Sequence, residues 1–242
     1  MVILIERTVR VLISEEYIQK SQRLKEVPNR DPARRLGRHV LHDVRSWQYP
    51  APMSHVIVST RHKRNVPIFN QGDIGSCAPN AGLGMVNTQP YRFDSGNEAL
   101  AVELYKVATR VDGIDGQYPP DDTGTTSLAV MYALKKARFI SSYSHAFGLQ
   151  HVLRSLVIRP GITGIAWREG CDYPDGNGIV RYTGNVLGGH EIELVGLDAI
   201  DNLIIFANSW GEDWGDHGYF AMSFDDYNTA LEDSGDATFA SP

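Results

Sequence analysis

The sequence is poor in cysteine: Cys77 and Cys171 are the two among 242 residues, with no Cys-x-x-Cys spacing. That excludes a disulfide-stapled scaffold and a structural zinc site of the usual spacing, and it suits a reducing compartment. Long apolar runs are also missing. Residues 1–13 are apolar but interrupted by Glu6, Arg7 and Arg10. They form neither a signal-peptide core nor a spanning segment, and they read as a β-strand. The expected location is therefore cytoplasmic, with no membrane partner. There is no dense Lys/Arg run, so nucleic acid is not an expected partner either. A phosphate-cradling Gly-Lys-Thr/Ser motif, internal repeats and heptads are lacking. The 172–178 segment is rich in oxygens but does not follow the spacing of a calcium loop, and it reads as a mobile turn over a cleft. No cofactor and no metal is called for.

What is present is an ordinary globular composition, 42% hydrophobic and 21% charged, long enough to bury a substantial core. The net charge of −6 is unevenly spread. Residues 1–64 carry 13 Lys/Arg against 6 Asp/Glu, and residues 65–242 carry 10 against 23, that is +7 and −13. A basic leader on an acidic body can lie across that body. Within the leader, residues 14–27 read as a helix stopped by Pro28, residues 30–45 hold a further short helix, and 47–52 reads as an extended linker.

The chain is organised around Gln71-Gly-Asp-Ile-Gly-Ser-Cys77-Ala-Pro79. A glycine-rich turn delivers Cys77 to the first turn of a helix, where Pro79 is tolerated and Pro90 later ends the run. Small residues (Ala81, Gly82, Gly84) predict that this helix is central and closely packed. A thiol at a helix N-terminus has its pKa lowered, which makes it a nucleophile; an inert buried cysteine is the plain alternative. Far downstream, Gly188-Gly189-His190 opens an apolar strand, and a second strand across the Asp201-Asn202 turn runs to Asn208. Neighbouring antiparallel strands would bring His190 to Asn208. Cysteine, histidine and an orienting asparagine are the parts of a thiol acyl-transfer site.

Together, Gln71-Gly-x-x-Gly-Ser-Cys77, Gly-Gly-His190 and Asn208-Ser-Trp-Gly-x-x-Trp214-Gly-x-x-Gly218-Tyr219 closely resemble the papain-like cysteine peptidases. The resemblance covers roughly residues 55–225. It is to bacterial-type members with short leaders, and Asp43-Val44-Arg45 shares in it. It implies an α+β, two-lobed fold, with a helical nucleophile lobe packed on an antiparallel, barrel-like β lobe and the site between them. It also implies Cys77 as nucleophile, His190 as base, Asn208 as orienter, and an oxyanion hole from Gln71 and the Cys77 N–H. Trp210 would cover the Asn208–His190 contact. Gly124, before a helix capped by Thr126, would pair its backbone with extended substrate or else simply belong to the capping loop, and Gly189 would be a further substrate-binding residue. Glu191 would lie near the second specificity pocket and favour a basic or polar side chain, or else pair with a neighbour. Two departures stand out: Ile74 removes a common disulfide, and Ala78 replaces a common Trp and would reshape the cleft floor.

The resulting expectation is a domain at 51–242 acting as a peptidase on peptides or proteins, preceded by a leader at 1–50. The leader would inhibit, dock a partner or complete the fold, with completion favoured. An acyl transferase or isopeptide-specific enzyme on the same triad, and an inactive peptide-binding module, remain the alternatives. His145 and His151 carry no motif and are expected at the surface or as caps.

Overall fold

Small side chains allow helix α1 (Cys77–Val86) to be enclosed on every side, and all ten of its residues are buried. The computed structural model describes residues 35–242. The strand expected over 1–13 and the helix over 14–27 lie outside the described residues. Around α1 pack α2 (Glu98–Ala108) and α3 (Ser127–Lys136). The second begins as the sequence predicts, with the Thr126 side chain accepting from Ala129 N–H, and Asn97 caps α2 in the same way by accepting from Leu100 N–H. A Cβ on Gly82 would strike Val130, so this glycine sets how closely α1 and α3 approach. Leu83, Met85, Leu104, Met131 and Leu134 fill the space between the three helices. Each such buried side chain is worth about 1.5–3 kcal/mol.

The second lobe is a seven-stranded antiparallel sheet. Its strands are β1 (Thr60–Arg61), β2 (Ser142–Ala146), β3 (Gly161–Arg168), β4 (Val186–Asp198), β5 (Leu203–Ala207), β6 (Tyr219–Ser223) and β7 (Asp236–Ser241). They run in the order β2-β7-β3-β4-β5-β6, with β1 added to β4. The register sets Ile165 opposite His190, Leu194 opposite Phe206, and Phe206 opposite Phe220. The two short helices α4 (Leu149–Leu156) and α5 (Phe224–Glu232) pack against this lobe. The fold is thus α+β with antiparallel strands, as the sequence predicts.

Several local expectations change. The short helix expected within 30–45 does not form over 35–43; a 3₁₀ helix at Val44–Gln48, capped by the Asp43 side chain on Arg45 N–H, instead runs into the start of the linker expected at 47–52. Trp47 stacks on Phe147 with centroids 4.3 Å apart. His151 is buried rather than exposed. Its ring accepts from Phe147 N–H and meets the Ala51 carbonyl at 2.5 Å, so it pins the residues after the leader. Asp172 is anchored rather than mobile: its carboxylate takes the Trp167 indole N–H at 2.6 Å. The reason is common to both. A lone polar residue looks surface-bound in sequence, but burial is tolerated once every polar atom finds a partner.

Candidate active site

The segment 69–71 pairs with 209–211 through Gln71 N–H to Ser209 C=O (2.9 Å) and Gly211 N–H to Phe69 C=O (3.0 Å). This joins the turn before Cys77 to the strand end that carries Asn208. The Gln71 carboxamide is then fixed at both ends. Its oxygen accepts from Ser209 Oγ at 2.6 Å, and its nitrogen donates to Arg35 C=O at 2.8 Å and to Ile74 C=O at 2.9 Å. Ser209 was not singled out by the sequence, although it stands inside the motif that was.

His190, near the start of β4, is fully buried. Its Nε2 lies 2.8 Å from Asn208 Oδ1, and that oxygen also accepts from Ser209 N–H at 2.8 Å. An acceptor shared in this way makes the imidazole Nε2 the donor. Trp210 stacks on the ring at 4.7 Å between centroids, and Trp167 meets both rings edge-on at 4.9 and 5.2 Å. With Asp172 holding the Trp167 indole, these rings shut water away from the His190–Asn208 bond.

Cys77 begins α1, as expected, but its thiol is shifted in the direction opposite to the one expected. It has no exposed surface, and burial pushes its pKa up to about 11 against the opposing pull of the Glu191, Gly37 and Ala78 backbone N–H groups. The cover is the chain's own residues 35–39. Arg38 N–H donates to Gly189 C=O (3.0 Å), Thr125 N–H to Gly37 C=O (2.8 Å), and His39 N–H to Thr125 C=O (2.8 Å). A Cβ on Gly37 would fall on the Gly75 carbonyl, and one on Gly124 would fall on the Gly37 carbonyl. The segment passes because both positions are glycine. Leu36 anchors it in the core of the β lobe.

The residue pairing with this extended segment is Thr125, not Gly124. Gly124 spends its N–H on the Tyr105 hydroxyl at 2.7 Å, and its own contribution is space. Asp122, which carries no sequence signal, organises the same corner. Its carboxylate accepts from Arg35 Nε (2.9 Å), Gly75 N–H (2.9 Å) and Tyr105 OH (2.8 Å). Ala78 does not reshape the cleft floor, because it points into the core of the helical lobe. Glu191 is fully buried, with Ser127 Oγ at 2.8–2.9 Å from its two oxygens and Arg38 Nε at 3.8 Å.

Tyr105→Phe should leave the buried Gly124 N–H without its acceptor and remove one donor from Asp122. An unmet buried group costs about 1–3 kcal/mol, and chemical denaturation would read that loss directly. An unchanged midpoint would show that the corner has other support.

Comparison with known proteins agrees with this architecture. Residues 167–237 match the family model described as papain family cysteine protease, a region that holds His190 and Asn208 but not Cys77 or Gln71. The chain is papain-like in fold, and that region of its sequence is similar to the papain family. A bacterial cysteine protease, xylellain from Xylella fastidiosa, superposes with a TM-score of 0.66 at 17% identity over 89% of this chain and 99% of that one. The proCathepsin B S9 of Trypanosoma congolense gives 0.59 at 11% identity, over 96% and 98%. A cysteine proteinase of Theileria annulata is 35% identical over 95 residues, 37% of this chain. The curated relatives are matched over only 17–21% of their own length. No helix among the described residues is long and apolar enough to cross a membrane.

Proposed function

We propose that the chain is a cysteine-type endopeptidase, held latent in this conformation by the end of its own leader. What supports the reading is that the helix-start thiol lies against the backbone N–H of Glu191, the residue after His190, while His190 is paired with Asn208 and the Gln71 amide stands on the turn before Cys77. In the active form, Cys77 thiolate attacks the carbonyl carbon of the scissile peptide. The oxyanion that forms is held by Gln71 Nε2 and the Cys77 N–H, donors worth roughly 3–4 kcal/mol each in acyl transfer. Gln71 Nε2 already has a peptide carbonyl on it, that of Arg35. With Nε2 of His190 committed to Asn208, proton transfer with the sulfur falls to Nδ1. The imidazolium gives its proton to the leaving amine as the C–N bond breaks. It then takes one from water, which opens the thioester and returns the sulfur as thiolate.

Latency follows from the cover. Residues 35–39 lie over the thiol in extended form, hydrogen-bonded on both sides. Substrate cannot enter while they stay, and the sulfur is held protonated. That the aligned Trypanosoma congolense structure is by name a proenzyme fits this reading. The leader is then the 1–50 segment and the peptidase domain is 51–242, although Leu36 and Ala51 both join the β-lobe core.

Gly37→Val tests the latency without touching the proposed catalytic groups. The side chain would overlap the Gly75 carbonyl, and overpacking of this kind costs roughly 1–3 kcal/mol. The uncovered state should gain about 5- to 150-fold in population. Alkylation of Cys77 by iodoacetamide, followed by mass spectrometry of the intact chain, should speed up accordingly. Hydrolysis of fluorogenic peptides should appear with it. A rate equal to that of the parent chain would mean the segment does not gate the thiol.

A further inference from the structure

We propose that residues 53–59 form an open edge that pairs antiparallel with the same residues of a second copy of this chain. The inference goes beyond the peptidase reading and does not depend on it. The stretch Met53-Ser-His-Val-Ile-Val-Ser59 leads straight into β1. Its Val-Ile-Val centre is strongly strand-prone, and it holds no Pro, Lys, Arg, Asp or Glu, the residues that usually guard an open edge. Yet among the described residues no backbone group of 53–59 bonds to another backbone group. The stretch is held at its margins and on one side. Ala51 N–H donates to His145 C=O at 2.9 Å, Thr60 stands opposite Leu197 in the sheet, and Ile57 packs on the β-lobe core. Side chains add two ties: Arg154 Nη1 donates to His55 C=O at 2.7 Å, and Ser59 Oγ donates to Asp198 Oδ1 at 3.3 Å. Met53, Val56 and Val58 are left 51%, 76% and 50% exposed, with Ile200 at 84% on the turn after Asp198.

A second copy suits this edge because the two ends of the stretch carry opposite charge. Arg154 stands by the His55 end. Asp198 stands by the Ser59 end, and its Oδ1 also accepts from the N–H of Asp201, an exposed residue that adds a second carboxylate there. Antiparallel pairing about a two-fold axis at Ile57 sets His55 of each copy opposite Ser59 of the other. Each Arg154 then approaches the Asp198 and Asp201 of the other copy, and the two-fold repeats the attraction. Parallel pairing would bring like charges together instead. In the same register Val56 of each copy faces Val58 of the other, and β-branched residues pair favourably across strands. The edge is short, so the expected dimer is weak, with a Kd of about 1–100 μM. Pairing would order the stretch that joins the leader to the proposed peptidase domain.

The test uses the full chain in sedimentation velocity from about 1 to 300 μM, with amide hydrogen exchange read by mass spectrometry at both ends of that range. The average mass should rise toward that of a dimer. Exchange of amides 54–59 should slow in step, because these N–H groups have no backbone acceptor in one copy and alternate ones gain an acceptor in the pair. Val56→Lys, at an exposed site, should weaken the dimer at least about tenfold. Arg154→Glu and Asp201→Arg should each weaken it about three- to tenfold, and the two together should bring it back to within about threefold of the parent. A monomer at every concentration would overturn the proposal. So would a dimer that leaves exchange at 54–59 unchanged or tolerates Val56→Lys, since another face would then be the interface. Failure of the paired charge exchange to restore association would overturn the antiparallel register. The exchange readout on the parent chain requires no variant to fold.

Discussion

Cys77→Ala is expected to abolish peptide hydrolysis, lowering kcat/KM by a factor on the order of 10⁴–10⁶ if the sulfur is the nucleophile proposed above. The measurement belongs in the Gly37→Val background, where the cleft is open and a parent rate exists. The fold should survive, because the lost sulfur leaves a small space at the end of α1 while the core among Leu83, Met131 and Leu134 is untouched. Cys171→Ala is the contrasting variant. That thiol sits in the β-lobe core, where burial pushes its pKa up to about 12, and its Sγ lies 3.7 Å from the Arg181 carbonyl. Its loss should lower the melting temperature and leave hydrolysis intact. Residual hydrolysis in Cys77→Ala within tenfold of the parent would remove the sulfur from the mechanism.

The same sulfur has a pH signature in the latent chain. A thiol titrating at about 11 is roughly a thousandth ionised at pH 8, against about a tenth for one at its ordinary value of 9.0. Alkylation of Cys77 in the latent chain should therefore rise about tenfold per pH unit and level off only near pH 11. In Gly37→Val the rate should already be high at neutral pH. Identical profiles for the two chains would show that the cover is not what keeps the thiol protonated.

Arg64→Ala is expected to give the largest loss of stability. Arg64 follows β1, and its guanidinium pairs with Glu193 of β4, with side chains 4% and 1% exposed. Thr88, just beyond α1, donates to the other Glu193 oxygen at 2.6 Å. The cluster thus ties the helical lobe to the sheet. Truncating one member leaves a buried carboxylate uncompensated, at a cost of about 3–5 kcal/mol. In a chain of this size that is roughly 6–20 °C in melting temperature. The sign with pH is fixed. Burial pushes Glu193 up, and Arg64 is the main group opposing it. Without Arg64 the carboxyl folds best protonated, so its contribution is present below its unfolded pKa and lost as pH rises through the folded one. The deficit against the parent should therefore widen from pH 5 to pH 8 in differential scanning calorimetry. A loss under about 1 kcal/mol at pH 8 would mean the pair is solvated enough to contribute little.

The elements that bear the site were legible because their signals are local. Pro79 and the small residues of 78–84 specify a buried helix, Thr126 caps the helix at Ser127–Lys136, and apolar runs flank the Asp201-Asn202 turn. Position-by-position resemblance then assigned Gln71, Cys77, His190 and Asn208 to one cleft, the assignment on which the proposed function rests. The helix-start argument for a reactive thiol failed in this state for a reason that no local pattern carries. Burial outweighs the favourable N–H groups around the sulfur, which come from Glu191 of β4, from Gly37 and, at the helix start, from Ala78. Gly124 looked like the pairing residue because it is the glycine of its loop, yet its N–H was already taken by Tyr105 from another helix.

The amino-acid order by itself determined the two kinds of lobe, the helix that begins at the sulfur and a strand that carries the imidazole, although that strand starts at Val186 rather than at His190. Those choices depend on neighbours a few residues away. Only the tertiary structure decided what fills the cleft. Arg38 and Asp236 stand 198 residues apart, and neither sits in a periodic pattern that announces the other. Their ion pair, the glycine-on-glycine passage of residues 35–39 and the shielded thiol exist because the folded chain brings a basic strand back across an acidic wall. That is an encounter set by packing and desolvation, and no stretch of sequence contains it.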